Sequence, residues 1–453
     1  MSEAPGRVTR AIRYTDLGSN PGQKGCTKEG QVLTTAPPEW LLVHASRLFD
    51  GTGAPPVNDP TVVVHGGVIQ GVYAGRLPQG GWPPDAPLVD LPGHTLLPGL
   101  IDAHVHLVLP GDGTPFEATV RESDEVLLAI AVRNAQTALR AGITTLRDCG
   151  GMRDTTLALR RAQRLGYAVA PRLHLCRCPI TITGGHCWYF GGEADGPEGM
   201  RRMVRGLVKS GVDYVKIMGS GGGTVGTIAW RPSYTVEELR AAVDEAHRLG
   251  RRVGIHCTCA DATRNAVAAG ADHIEHAMFL KDEAGHHQFE PDVADAVARR
   301  GTPVTATLSV SHYLLAAMAQ RAHDAAADGV LVERFRRMAT TNLENVRRMR
   351  QAGVRYVAGT DAGWRYTPFD GLATEMALLQ QAGASAGEAI VAATSAAAEA
   401  LGIAAETGAL REGLQADMIA VSGDPLSDLS VLRHPAMVML GGRVVARSQR
   451  PPT

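Results

Sequence analysis

Two histidines separated by one residue are the first feature of this sequence that could do chemistry. His104 and His106 lie near the end of a predicted strand over residues 95–107. Side chains at positions i and i+2 of a strand point to the same face, so both imidazoles can reach one metal ion. Imidazole is a common metal ligand, but an isolated His-x-His pair is also explained by ordinary core packing.

Lys216 is a second candidate because it lies inside an apolar run, residues 214–218, that predicts a buried strand. An isolated buried ammonium is costly, so the residue needs a partner, a lowered pKa or a covalent modification. One interpretation is a buried ion pair. The other is a neutral amine that adds carbon dioxide and becomes a carbamate, which is a carboxylate-like ligand able to bridge two cations.

Three further ligand-type residues end predicted strands over residues 253–257, 273–276 and 356–361. They are His256, His276 and Asp361. A single histidine at the end of a strand is usually structural. Six ligand-type side chains at the ends of strands would require six independent structural explanations, so the set favours a metal centre.

The elements that must position these residues alternate regularly between about residues 95 and 400. Helical stretches end at glycines, for example Gly142 and Gly301, and each glycine is followed by a short β-rich run, here residues 143–148 and 303–310. A helix C-cap glycine followed by a buried strand is typical of βαβ units. Eight such strands predict an α/β fold, a (β/α)8 TIM barrel over residues 94–407, with an open doubly wound sheet as the alternative.

The two ends of the chain have a different character. Residues 39–93 and 408–453 show short strands separated by turns, which predicts a small β-sandwich domain formed from both termini. Residues 1–38 carry charges, prolines and glycines, and we expect a flexible N-terminal arm. They contain no apolar segment of the secretory type, and no run of about 18 apolar residues follows, so a cytoplasmic protein that spans no membrane is expected.

Composition excludes several classes of function. The chain has 453 residues with 45 Lys and Arg against 46 Asp and Glu, and its net charge of -1 argues against nucleic acid as a partner. Seven cysteines, an odd number, imply no disulfide framework. Residues 221–226 match G-x-G-x-x-G, but the next strand ends in His256 rather than an acidic residue, so a flexible active-site loop is favoured over dinucleotide binding.

Taken together, these motifs resemble the amidohydrolase superfamily of metal-dependent hydrolases, in particular its imidazolonepropionase-like and prolidase-like branch. The resemblance covers residues from about 40 to 447. Its carrying segments are residues 97–106, residues 215–218, His256, residues 274–277, residues 359–362, residues 413–418 and residues 441–445.

The resemblance implies a (β/α)8 barrel that carries a β-sandwich, two divalent metal ions with zinc as the leading choice, and a homo-oligomer. His104, His106 and Asp361 would bind the more buried ion, and Lys216, carboxylated by carbon dioxide, would bridge to a second ion completed by His256 and His276. Asp361 would act as base and then as acid. Many relatives carry a second histidine where this chain has Thr258, which weakens any transfer of substrate contacts.

Other polar and aromatic residues are expected around the substrate. His186 and Tyr234 are candidate catalytic groups, with His186 as a donor to the developing oxyanion. The aromatic residues that follow predicted strands suggest an apolar or aryl-lined pocket. The candidate substrate contacts are Trp188, Tyr189, Phe190, Trp230, Trp364 and Tyr366, with His312, Arg231 and Arg365 as polar contacts.

The expected function is hydrolysis of a carbonyl–nitrogen bond in a small molecule such as an amide, a urea, a carbamate or an N-acyl amino acid. A dipeptidase for Xaa-Xaa substrates and a cyclic amide hydrolase are alternatives on the same site. A non-catalytic scaffold would be expected to lack the metal ligands, so the complete set favours an enzyme.

Overall fold

A computed structural model describes residues 38–75, 81–321 and 329–447, so the predicted N-terminal arm lies almost wholly outside the described residues. The strands are β1 Trp40–Leu48, β2 Val57–Asn58, β3 Pro60–His65, β4 Val68–Ala74, β5 Leu88–Pro98, β6 Leu100–Val105, β7 Ile143–Asp148, β8 Arg172–Leu175, β9 Tyr214–Met218, β10 Arg252–Cys257, β11 His273–His276, β12 Val304–Thr305, β13 Tyr356–Val357, β14 Met418–Ser422, β15 Met437–Leu440 and β16 Arg443–Arg447. The helices are α1 Phe116–Thr119, α2 Asp124–Arg140, α3 Thr155–Arg164, α4 Gly196–Lys209, α5 Val236–Arg248, α6 Ala260–Ala269, α7 Pro291–Arg300, α8 Ser309–Arg321, α9 Gly329–Gln351, α10 Leu372–Gln381, α11 Ala386–Ala392 and α12 Ser395–Leu401.

Strands from both ends of the chain share one sheet. Its order is β16-β15-β14-β5-β1-β3-β4, and β2 pairs with β1. The junction between the two chain ends is the antiparallel pair β14 and β5, in which Ile419 lies opposite Leu97. One face buries a separate apolar cluster that includes Val43, Ile69 and Met418, so this sheet has its own core.

The middle of the chain forms two parallel sheets with helices between their strands. One sheet has the order β6-β7-β8, and the other has the order β13-β12-β11-β10-β9. Every neighbouring pair in both sheets is parallel. The α/β class predicted from the alternation of glycine-ended helices and short strands is therefore confirmed.

The edges of the two parallel sheets meet on both sides. Val105 of β6 forms a parallel bridge with Ala362, and Ile180, which follows β8, forms one with Ile217 of β9. Backbone hydrogen bonds support each junction, since Ala103 N donates to Ala358 O over 3.0 Å and Met218 N donates to Ile180 O over 2.8 Å. The ends of all eight parallel strands are thereby brought into one region.

Local sequence explains how the helices begin and pack. The predicted helix start at Thr235 is a capping box, in which Thr235 Oγ1 accepts from Glu238 N over 3.3 Å and Glu238 Oε2 accepts from Thr235 N over 2.9 Å. On α4 the buried residues are Met200, Val204 and Leu207, spaced as one face of a helix. Among the described helices, none is long and apolar enough to cross a membrane.

Several predicted strands differ from the observed ones; the strand expected over residues 356–361, for example, ends at Val357. The single strand expected over residues 95–107 is two strands, β5 and β6, which belong to different sheets and are separated by Gly99. A Cβ atom at Gly99 would lie 2.1 Å from Thr144 Oγ1, so this close crossing requires glycine. The predicted domain boundary between residues 93 and 94 consequently falls inside β5.

The strand expected over residues 303–310 is also shorter than predicted, because β12 ends at Thr305 and α8 begins at Ser309. Both carboxylate oxygens of the buried Glu375 accept backbone hydrogens there, from Leu308 N over 3.0 Å and from Ser309 N over 2.7 Å. A side chain from α10 thus satisfies the first free N–H groups of α8, which no local sequence pattern could indicate.

Candidate metal centre and catalytic cavity

One cavity of about 330 Å³ collects the side chains at the ends of the parallel strands. All six residues predicted as metal ligands line it, namely His104, His106, Lys216, His256, His276 and Asp361. Each of them is at least nine-tenths buried. Residues from β6, β9, β10, β11 and the segment after β13 therefore meet at one place, as the strand-end positions predict.

Asp361 lies between the two histidines of the His-x-His pair. Its Oδ1 is 3.5 Å from His104 Nε2 and 3.2 Å from His106 Nε2. The other ring nitrogens are occupied, because His104 Nδ1 donates to Glu275 Oε2 over 2.9 Å and His106 Nδ1 donates to Gly150 O over 3.2 Å. Both Nε2 atoms thus face Asp361, and these three side chains are positioned so that they could hold a metal ion.

His256 and His276 lie next to each other with ring centroids 4.6 Å apart. His276 Nδ1 is 2.8 Å from Thr307 Oγ1, which can accept its hydrogen and leave Nε2 free. His256 has the opposite arrangement, since its Nε2 lies 3.1 Å from Gly221 O. A carbonyl only accepts hydrogen bonds, so His256 Nε2 carries the hydrogen and Nδ1 offers the lone pair.

The Lys216 amine is buried and has no hydrogen-bond partner among the described residues. Its nearest acidic atom is Glu275 Oε1 at 3.7 Å, but that carboxylate is held more closely by Arg147 Nη2 at 2.5 Å. A simple ion pair therefore accounts poorly for Lys216. Asp361 Oδ1 also lacks a hydrogen bond in the described region, and two such orphaned polar atoms fit a site built for cations.

Electrostatics in the cavity also favour a cation. Burial raises the pKa of Asp361, but His104, His106 and His276 outweigh it and hold that pKa well below its usual range. Burial likewise lowers the pKa of His104, yet Cys149, Glu275 and Asp361 together raise it to about 10. The same negative groups would attract a metal ion, which competes with the proton for the same lone pair.

Glu275 and Arg147 are functional residues that the sequence reasoning missed. Both are fully buried, and Glu275 joins Arg147 to His104 through its two carboxylate oxygens. Burial raises the pKa of Glu275, while Arg147 and Lys216 hold it well below its usual value. The available signal was the acidic residue inside a short predicted strand, because a buried carboxylate requires charged partners.

Two of the candidate ligands have a left-handed backbone. The φ angle is 69° at His276 and 60° at Asp361, a conformation that costs non-glycine residues roughly 1–3 kcal/mol. The segment before Asp361 is held by Asp102, which accepts from Thr360 Oγ1 over 2.6 Å and from Thr360 N over 3.0 Å. The surrounding hydrogen bonds therefore maintain the unusual backbone that aims these side chains into the cavity.

His186 lies in the same cavity, with its ring 4.8 Å from that of His256. Burial lowers its pKa to about 3, so the imidazole is neutral at ordinary pH. Thr224 Oγ1 accepts from Cys187 N over 3.0 Å and lies 2.8 Å from His186 Nδ1. Where the Thr224 hydroxyl donates to His186 Nδ1, the ring carries its hydrogen on Nε2.

The predicted substrate contacts fall into two groups. Trp230, Trp364 and Arg365 line the catalytic cavity, and Tyr366 lines a smaller cavity of about 230 Å³ that shares Trp364 with it. Phe190 stacks on His106 with centroids 6.0 Å apart.

The remaining predicted contacts are not among the described residues that line the catalytic cavity: Trp188, Tyr189, Tyr234, Arg231 and His312. The Tyr234 hydroxyl is engaged elsewhere, since it donates to Ala194 O over 2.8 Å. Tyr189 stacks on Phe116, and Trp188 is 48% exposed. The structure thus does not bring these side chains to the metal ligands.

The glycine-rich segment 221–226 forms part of the cavity wall. A Cβ atom at Gly222 would lie 2.5 Å from the His186 ring, and one at Gly223 would lie 2.6 Å from the Trp364 ring. Close approach to catalytic-site side chains explains these glycines, in agreement with the active-site loop favoured by the sequence.

Comparison with known proteins supports this picture. The pattern of the Amidohydrolase family matches residues 95–445. An uncharacterised protein of Mycobacterium tuberculosis is 31% identical over 354 residues, which cover 78% of this chain and 85% of that protein. The ochratoxinase of Aspergillus niger is 29% identical over 380 residues, which cover 76% of this chain and 73% of that enzyme.

Solved structures give the same result. A crystal structure of a Xaa-Pro dipeptidase with methionine bound in its active site superposes with a TM-score of 0.78 and 27% identity. The match covers 90% of this chain and 100% of the dipeptidase chain. The similarity therefore extends over the terminal sheet as well as the parallel sheets.

Proposed function

Because the chain belongs to the amidohydrolase family and is therefore a hydrolase, we propose that it uses divalent metal ions to cleave a carbonyl–nitrogen bond in a small molecule. One observation carries the proposal. Six ligand-type side chains from five separate segments meet in one buried cavity, and two of them, Lys216 and Asp361, present polar atoms without a hydrogen-bond partner among the described residues.

We propose that the two parallel sheets, β6 to β13, form one closed (β/α)8 barrel. The bridges Val105–Ala362 and Ile180–Ile217 support closure, since each joins the edges of the two sheets. We also propose that the terminal sheet, built from β1 to β5 and β14 to β16, forms the β-sandwich domain. The apolar cluster beneath the eight-stranded terminal sheet supports a separate domain. A homo-oligomeric state and a cytoplasmic location stay predictions.

We assign His104, His106 and Asp361 to one ion, and His256 and His276 to a second ion, with carboxylated Lys216 between them. Imidazole, carboxylate and carbamate ligands suit zinc, although cobalt, manganese and iron share this preference. When bound, such ions lower the pKa of a coordinated water toward neutrality and polarise a carbonyl. The burial of Lys216 and its lack of a hydrogen-bond partner among the described residues support this assignment.

The remaining chemistry belongs to side chains of this protein. The Asp361 carboxylate would accept a proton from the attacking water and deliver it to the leaving nitrogen, as base and then acid. His186 Nε2–H would donate a hydrogen bond to the carbonyl oxygen as it gains negative charge. The apolar side chains of Trp230 and Trp364 would contact the organic part of the substrate.

The substrate class follows from the cavity and from the relatives. We propose an amide, urea, carbamate or N-acyl amino acid with an apolar or aryl group, since two tryptophans line the cavity. The likeness to a Xaa-Pro dipeptidase keeps a dipeptide as the second candidate. A cyclic amide is the third, because the same centre serves all three reactions.

A substrate panel tests the proposal. Aryl amides, aryl ureas and dipeptides would be assayed with the metal-loaded protein and with protein treated with a chelator. We expect hydrolysis of at least one amide class, lost on chelation and restored by zinc. Near-zero bound metal together with no hydrolysis across the panel would instead support a non-catalytic scaffold.

A further inference from the structure

The helices α8 and α9 form a wall of the catalytic cavity. This wall has no role in the proposed metal centre. Arg334, Met338 and Asn342 of α9 are spaced at i, i+4 and i+8, so they share one face, and all three line the cavity. From α8, Val310 and Leu314 line the same cavity. The wall is therefore apolar in the middle and carries a polar side chain toward each end.

Asn342 marks one end of this wall. The residue is 3% exposed, and its Oδ1 has no hydrogen-bond partner among the described residues. A buried amide oxygen without a donor costs free energy, and a ligand N–H would remove that cost.

Arg334 marks the other end. Its Nη2 donates to Glu283 O, which fixes the guanidinium, while its Nε has no partner in the described parts of the chain. Asp282 lines the cavity nearby, but its carboxylate already accepts from His286 N over 3.1 Å and His286 Nδ1 over 2.8 Å. The Asp282 carboxylate is thus held by His286, and the Arg334 guanidinium is a cationic group at this end of the wall.

Helix geometry sets the spacing of the two ends. Eight residues of α-helix separate the Cα atoms of Arg334 and Asn342 by about 12 Å. A ligand that meets both must hold an N–H and an anionic group on opposite ends of an apolar spacer. The flat or linear spacer would lie against Leu314 and Met338.

We propose that this wall is a subsite for amides that carry a carboxylate at the far end of an apolar group, such as N-acyl aminobenzoates. Arg334 binds the carboxylate, and Asn342 Oδ1 accepts from the amide N–H. The inference rests on the proposed amide hydrolysis and narrows its substrate class.

Two matched aryl amides test the subsite in the metal-loaded full-length protein. One is 4-acetamidobenzoate, and the other is 4-acetamidobenzamide, which replaces the carboxylate with a neutral amide. We expect kcat/KM to be at least about tenfold higher for the carboxylate, mainly through KM, because hydrogen bonds to charged groups are the stronger ones.

Variants of α9 distinguish recognition of the carboxylate at the subsite from a general loss of activity. Arg334→Gln should lower the ratio of kcat/KM between the carboxylate and the carboxamide substrate by about tenfold. Arg334→Lys should retain part of that ratio. The matched control is Arg337→Gln, an exposed arginine on the same helix, which should leave the preference unchanged. Asn342→Ala should lower kcat/KM for both substrates alike, since both contain the amide N–H.

Binding to the Asp361→Asn variant, measured by calorimetry, separates this inference from the proposed function. Tighter binding of 4-acetamidobenzoate than of its carboxamide supports the subsite whether or not either compound is hydrolysed. Equal affinities, or a preference unaffected by Arg334→Gln, would overturn the subsite and leave amide hydrolysis standing. Absence of turnover with every amide tested would overturn the proposed function alone.

Discussion

Lys216 is the residue whose environment says most about the metal centre. Its amine lies in a fully buried strand without a hydrogen-bond partner among the described residues, and the nearest carboxylate is already held by Arg147. A carbamate would convert this orphaned nitrogen into a group that binds cations, which explains why a lysine is tolerated here.

Replacing Lys216 with alanine should therefore remove bound metal and activity together. We expect fewer than two ions per chain by elemental analysis and a rate loss of about 100-fold or more, as for removal of a group essential to a metal site. Short carboxylic acids should restore part of the activity by occupying the vacated space. Lys209→Ala, at an exposed position on α4, is the control, and full occupancy of two ions in Lys216→Ala would contradict the bridging role.

Asp361 gives a second prediction at the residue scale. Asp361→Asn keeps the shape of the side chain but removes the basic carboxylate, so turnover should fall by roughly 100-fold to 10,000-fold. The circular dichroism spectrum and the melting temperature should stay close to those of the parent protein. A rate within a fewfold of the parent's would exclude Asp361 as the proton acceptor.

Residue types alone indicated these positions, because metal ligands come from a short list of side chains, and the structure brings all six candidates into one cavity. The family membership inferred from them is confirmed by the match over residues 95–445. Glu275 and Arg147 could not be paired from sequence, since β7 and β11 belong to different sheets and are separated by more than 100 residues of chain. Side-chain direction in the loops was equally inaccessible, as the position of Tyr234 illustrates.

At the scale of elements, the glycine-rich loop depends on one hydroxyl group. Thr258 Oγ1 lies 2.5 Å from Ala229 O, 2.7 Å from Ser220 Oγ and 3.1 Å from Gly221 O. It therefore ties both ends of the loop to the end of β10, and the same Gly221 carbonyl accepts from His256 Nε2.

Thr258→Val should loosen this loop and weaken the hold on His256, because it removes the hydroxyl hydrogen that reaches the Ala229 carbonyl, at a cost of about 1–3 kcal/mol. We expect faster amide hydrogen exchange over residues 219–230 and weaker metal binding. Thr258→Ser keeps the hydroxyl and should behave like the parent protein. Identical exchange in the valine and serine variants would show that the hydroxyl does not hold the loop.

Elements defined by strong local sequence signals were predicted well. Elements whose bounds depend on contacts with distant residues were not. Three strands, Ile143–Asp148, Tyr214–Met218 and His273–His276, have the predicted bounds, since apolar runs and preceding glycines define them locally. The start of α8 depends on Glu375 of another helix, and the break at Gly99 depends on Thr144 across the sheet. Neither contact could be predicted from a pattern in the neighbouring sequence.

At the scale of the whole molecule, Asp417 links the terminal sheet to the parallel sheets. This fully buried carboxylate accepts from Arg172 Nε of β8 over 2.6 Å, from Gly441 N over 2.7 Å and from Thr407 Oγ1 over 3.1 Å. The ends of the chain and its middle are thus joined through one charged side chain.

Asp417→Ala should destabilise the protein by about 3–5 kcal/mol, as expected when one partner of a buried ion pair is removed. Denaturant unfolding monitored by circular dichroism measures the change. Glu344→Ala removes the partner of the exposed Arg347 and should cost less than about 1 kcal/mol. Comparable losses in the two variants would mean that Asp417 does not join the two parts of the fold.

The hydrogen bonds from Thr360 to Asp102 connect positions 258 residues apart. A ribosome must therefore release most of the polypeptide before His104 and Asp361 can approach each other. Nascent chains carry isolated imidazoles and carboxylates but no assembled binding site, since local contacts form long before distant ones. Loading of the proposed metal site would consequently be a late event, possible only after synthesis has passed the last parallel strand.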